Sequence, residues 1–133
     1  MMAAPNHEAD IRVLIEKWAK AVRDENFEAI RADHDPDMLM FDVPAPFLSR
    51  GIDAYMSTWE TFFKWQAKPV KFEFRDVEVT ASAEVAFATA IGTCCDLSSG
   101  MPVDLDFRLT VGLRKINGRW RIMHEHHSIP AAS

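Results

Sequence analysis

From Val103 to Leu113 every second residue is apolar: Val103, Leu105, Phe107, Leu109, Val111 and Leu113 alternate with Asp104, Asp106, Arg108, Thr110 and Gly112. Successive side chains of an extended chain point to opposite faces, so Val103 to Lys115 is expected to form one strand with a dry face and a wet face. Asn117-Gly118 follows, the dipeptide best suited to a tight hairpin turn. Arg119 to Ile129 must then fold back beside the first strand. A hairpin with one dry face cannot stand alone, and the rest of the chain has to supply its cover.

The cover is legible upstream. His7 to Asp24 carries Ile11, Leu14, Ile15, Trp18, Ala19 and Val22 in steps of three and four, the stripe of an amphipathic helix. Asn6 is its expected N-cap, and Asn26 the cap of a short second helix, Phe27 to Ala32. Pro36 disfavours helical geometry at Asp35 and predicts a turn over Asp33–Asp37. Met38 to Val43 then reads as a strand stopped by Pro44-Ala45-Pro46, and Gly51 to Trp65 as a third helix with Ile52, Tyr55, Met56, Trp59, Phe62 and Phe63 on its stripe. Val70 to Val79 alternates but changes phase before Val77, which predicts a bulge. Ala83 to Leu97 sets Val85, Phe87, Thr89 and Ile91 against Ala86, Ala88, Ala90 and Gly92, a small-residue face that admits close approach. Helices first and long hairpins after define an α+β class, with a bent antiparallel or mixed sheet wrapped around three N-terminal helices. No linker divides residues 1–133, and a single domain is expected.

Bulk properties narrow the function. Net charge is −5 and no basic run exceeds Arg114-Lys115, which argues against a nucleic-acid partner. No apolar run approaches membrane-spanning length, and MMAAPNHEAD lacks a secretory signal pattern. Cys94 and Cys95 are adjacent and should point to opposite faces, as free thiols suited to a reducing, cytoplasmic setting. No Cys-x-x-Cys spacing exists, and neither metal nor cofactor is expected.

Candidate chemistry gathers on two strands. Unbroken alternation would put Trp120, Ile122, His124, His126 and Ser128 on one face, inward because Trp120 and Ile122 are core-like. His124 and His126 then read either as proton carriers or as buried histidines bonded to backbone. As metal ligands they would need a third group such as Asp42, which no motif supplies. Asp42, ending an apolar strand, is either a strand-end cap or a carboxylate at a cavity mouth. Asp104, Asp106 and Arg108 share one face of one strand, where ion-paired wet surface is the favoured reading. Trp18, Tyr55, Trp59, Phe62 and Phe63 are mostly core, yet so many rings in a small domain favour a shaped apolar slot.

Three segments carry a family resemblance: Asp24-Glu25-Asn26-Phe27-Glu28-Ala29-Ile30, Ser49-Arg50-Gly51-Ile52-Asp53-Ala54, and Asn117-Gly118-Arg119-Trp120-Arg121-Ile122-Met123-His124-Glu125-His126-His127-Ser128. With the order of elements, they resemble the SnoaL-like domains of the ketosteroid-isomerase and nuclear-transport-factor-two-like superfamily. The resemblance covers nearly the whole chain. It implies a cone-shaped, cystatin-like fold, homodimers formed through the sheet, and a pocket for a small apolar ligand such as a cyclic ketone, polyketide or steroid. In that superfamily's isomerases the general base is an Asp ending the first strand, a place that Asp42 matches. The oxyanion Tyr falls on Trp18, and the oxyanion acid on Leu109 or Thr110. Taken with the strand-face reading, this makes Asp42 the expected proton acceptor, His124 and His126 the expected oxyanion stabilisers, and Trp18, Phe41, Tyr55, Trp59, Phe63 and Thr110 the expected ligand contacts. A non-catalytic ligand-sensing or association domain is the alternative, because one fold serves many functions.

Overall fold

The structure, a computed structural model, describes residues 6–131. The chain has three helices, α1 (His7–Arg23), α2 (Phe27–Arg31) and, after the first two strands, α3 (Ile52–Lys64). Asn6 accepts a hydrogen bond from the Ala9 amide at 3.0 Å, and Asn26 from the Ala29 amide at 3.1 Å, so both expected caps form. Six strands make one sheet: β1 (His34–Phe41), β2 (Ser49–Arg50), β3 (Phe72–Ala81), β4 (Val85–Asp96), β5 (Val103–Ile116) and β6 (Arg119–Ser128). Their spatial order is β2-β1-β6-β5-β4-β3, with β1 parallel to β6 and every other pair antiparallel.

The first strand starts earlier than its sequence suggests. His34 already pairs with Ile122, and the ladder then skips to Leu39 beside His124. Pro36 sits in that skipped stretch, where a missing amide donor costs no ladder bond. β2, with two residues, is too short to carry a sequence pattern of its own. The hairpin between β5 and β6 turns on Asn117 and Gly118 with φ of 52° and 79°, as its dipeptide predicts.

Two bulges bend the sheet. One lies in β3 between Arg75 and Glu78, where Asp76 adopts a φ of 54°. The other lies in β6, where the adjacent residues Gly112 and Leu113 pair with His124 and Ile122, leaving Met123 extra. The concave face carries the core. Ala86, Ala88 and Ala90 are buried there, and a Cβ at Gly92 would lie 2.2 Å from the Phe107 ring. That ring stacks on Phe72 at 5.8 Å, so the small-residue face of β4 makes room for an aromatic layer under α1 and α3. Among the described residues no helix is long and apolar enough to cross a membrane.

Candidate functional site

The bulge at Met123 decides which side chains of β6 face inward. Trp120 and Ile122 are buried, but beyond the bulge the buried residues are Glu125 and His127. His126 is exposed and His124 half-buried on the outer face, beside Phe41, with ring centroids at 5.4 and 4.9 Å. The expectation that His124 and His126 point inward is therefore corrected: one inserted residue reverses the phase of every side chain after it. His124 Nδ1–H donates to the Leu39 carbonyl oxygen, 2.7 Å away, outside the cavity.

Glu125 lies at the centre of the inner network. None of its surface reaches solvent. Its Oε2 accepts the Tyr55 hydroxyl at 2.7 Å and also meets His34 Nε2. Its Oε1 lies 2.9 Å from His127 Nε2. The far side of the same imidazole, Nδ1, stands 3.6 Å from Asp42 Oδ1. Asp42 follows β1 in phase with the buried Met38 and Met40, and its Oδ1 also accepts the Val43 amide at 2.8 Å. A chain of polar contacts thus runs from Asp42 through His127 to Glu125 and His34.

Electrostatics fix the protonation of His127, Glu125 and Tyr55. Burial pulls the His127 imidazole down, but the carboxylates of Asp42 and Glu125 outweigh it and raise its pKa to about 9. Burial alone would push the Glu125 carboxyl up. His34 and His127 reverse that and hold it well below the usual carboxylate range. Burial and the charge of Glu125 both push the Tyr55 phenol up, so it stays a donor. At neutral pH His127 is an imidazolium between two carboxylates.

Asp42 and His127 form part of the wall of a cavity of about 680 Å³. Apolar side chains dominate that wall, including Met40, Trp59, Phe62, Phe72 and Phe107, and polar groups such as Ser49, Arg50, Thr58, Gln66 and Asp96 are dispersed among them. The Asp42 side chain is 24% exposed and the His127 side chain 10%. An aspartate–imidazolium pair in an apolar wall can move a proton and can balance a charge that develops on a bound molecule. Among the described residues no group of three or more His, Cys, Asp or Glu is placed to hold a metal ion.

The other sequence candidates are dispersed through the fold. Trp59 lines the cavity. Trp18 and Tyr55 lie behind its wall: Trp18 packs edge-on to Trp59 and Phe72, and Tyr55 is bonded to Glu125. Phe63 packs against Phe27 and Trp59 in the core. Phe41 and Thr110 are on the outer sheet face, Thr110 paired with Thr89 and His126. The acidic row on β5 is ion-paired surface: Asp104 meets Lys71 at 3.0 Å, and Asp106 meets Arg75 at 3.1 Å. Cys94 and Cys95 are free thiols, with Cys94 buried.

Sequence reasoning passed over His127, Glu125 and His34. A signal was present in Ile129. Trp120 and Ile122 are core residues at even positions and Ile129 packs on the core at an odd one, so alternation has to slip between them. Nothing in the sequence tied His34 to Glu125, 91 positions away.

A sharply bent sheet closed over helices around a cavity defines the nuclear-transport-factor-two-like, cystatin-like class. The chain belongs to the SnoaL-like domain family, whose model matches residues 11–132. It is 32% identical to a nuclear-transport-factor-two-like protein of unknown function from Pseudomonas putida, over 96% of this chain and 90% of that one, with a TM-score of 0.82. A protein with a cystatin-like fold from Novosphingobium aromaticivorans shares the architecture at 17% identity, covering 95% and 83% of the two chains, with a TM-score of 0.80. A ketosteroid isomerase-like protein from Erwinia carotovora is similar in fold at 20% identity, covering 90% and 93%, with a TM-score of 0.75. No curated protein matches the chain.

Proposed function

We propose that this domain binds a small apolar carbonyl compound, such as a cyclic ketone, and that Asp42 and His127 move a proton on it. The observation that carries this reading is the aspartate–imidazolium pair in an otherwise mainly apolar cavity wall. Asp42 takes a proton from the carbon next to the carbonyl, and the electron pair left behind moves onto the carbonyl oxygen as an enolate. Asp42 becomes neutral in that step. The imidazolium of His127, until then balanced by Asp42, now offsets the enolate charge across the same low-dielectric space. Return of the proton to the ligand restores the starting ion pair, so the cycle needs no net proton from solvent.

Asp42→Asn tests this directly. The amide oxygen of the variant can still accept the Val43 amide, so the fold should persist. Hydrogen–deuterium exchange at the α-carbon of a panel of cyclic ketones, followed by NMR in D2O, should be catalysed by the wild type. The variant should be slower by a factor on the order of 100 or more. Equal rates would remove Asp42 from the reaction, and a panel that neither exchanges nor shifts the melting temperature would remove the ligand class.

An association role has its own observation. The outer sheet face exposes Val85 and Phe87 on β4, next to Thr110 and Gly112 on β5 and the His124–His126 row. We infer that a second copy covers this face, forming a homodimer through the sheet. Sedimentation of the wild type should show a dimer, and Phe87→Glu should shift it to monomer while α-proton exchange continues. A monomeric wild type at high concentration would sink the inference.

A further inference from the structure

Large apolar side chains stand in solvent around the cavity mouth. Val43, Leu48, Trp65 and Leu105 line the cavity, yet they are 50%, 43%, 54% and 38% exposed. Phe47 lies between the lining residues Pro46 and Leu48 and is 96% exposed. Val103, two residues before Leu105 on the same face of β5, is 50% exposed. Exposed apolar groups scattered singly need no explanation, but a set gathered at one opening marks a binding surface. Three separate segments contribute: the loop after β1, the end of α3 and the start of β5.

The rim is continuous with the cavity, because Val43, Leu48, Trp65 and Leu105 belong to both. Arg50, Asp96 and Ser98 also belong to the lining, but those four side chains offer a leaving ligand an apolar path from wall to rim. A compact ligand would be enclosed by a pocket of this volume and would leave these residues uncovered. Arg50 is the one Lys or Arg in the cavity wall among the described residues, so no basic cluster is present to hold an anionic membrane surface.

We propose that the ligand is an amphiphile, with a carbonyl-bearing head at Asp42 and His127 and an alkyl chain that leaves through the mouth to lie on Phe47, Leu48, Trp65 and Leu105. This rests on the ligand class proposed above and specifies its shape. The chain replaces water over the rim, and each methylene covered tightens binding by up to roughly fourfold.

A series of 4-alkylcyclohexanones, from methyl to decyl, tests the proposal by quenching of tryptophan fluorescence below the micelle concentration. In the wild type, Kd should keep falling along the whole series. Phe47→Ser and Val103→Thr, at exposed rim positions outside the cavity lining, should bind the short members like the wild type and stop gaining affinity for the long ones. Asp42→Asn should keep the wild-type dependence on chain length, whatever it does to exchange. Short members that bind with no gain from longer chains would overturn the amphiphile while sparing the ketone reading. No binding at any length would overturn both. Loss of ligand-free self-association in Phe47→Ser, with an unchanged chain-length dependence, would assign the rim to a second copy and overturn the proposal.

Discussion

A carboxylate with no surface in contact with water must find all its partners inside the protein. Glu125 finds three, in Tyr55, His34 and His127. Two of them are donors that no aliphatic side chain could replace, and the third is a cation that would itself be stranded without Glu125. Glu125→Gln keeps the volume but removes the charge, and it turns an amide NH2 toward groups that also carry N–H. The variant should lose about 3–5 kcal/mol of stability, the cost of breaking one side of a buried ion pair. Urea unfolding measures this, and a loss under about 1 kcal/mol would mean that the network contributes little to the fold. The same residue holds His127 in place against Asp42. Stability and site chemistry are therefore coupled at one atom pair.

Strand β6 shows the coupling between an element's phase and the identity of a site. Met123 is the extra residue, and after it His126 faces solvent while His127 faces the cavity. Diethyl pyrocarbonate reacts with neutral, accessible imidazoles, so at low protein concentration it should modify His126 and spare both His127 and His34. Peptide mass spectrometry reads the sites, and an adduct on His127 ahead of His126 would contradict the phase of the strand. The element inventory was legible because helices announce themselves in stripes and caps, and long strands in alternation: Asn6, Asn26 and Asn117-Gly118 each sit where their chemistry predicts. The site was only half legible. Asp42 could be read from its place at a strand end, but His127 lay hidden behind a single-residue slip whose one trace was Ile129. His34 and Tyr55 join Glu125 through long-range packing, which local periodicity does not encode.

Over the whole molecule the buried charges set a pH window for stability. The His127 imidazole is raised from 6.5 to about 9 in the folded chain. Below about pH 6.5 it is protonated whether folded or unfolded, and its ion pairs contribute in full. Between 6.5 and about 9 the unfolded chain has lost that proton and the folded chain keeps it, so stability falls as pH rises. Above about 9 the contribution is gone. Glu125 works in the opposite sense: its folded pKa is depressed, so its contribution is present above its ordinary 4.5 and is lost as the pH drops through its folded value. The Cys94 thiol, pushed by burial to about 11, costs stability only as the pH rises past its ordinary 9.0, which separates it from His127. Melting temperatures of the wild type should therefore hold level from about pH 5 to 6.5 and decline steadily to about pH 9. His127→Gln has no imidazolium to lose, so it should start lower and stay nearly flat across that interval. The difference between the two curves isolates the imidazolium from every other titrating group. If that difference is constant from pH 6.5 to 9, His127 is neutral in the folded protein, and the ion pair on which the proposed chemistry depends does not exist.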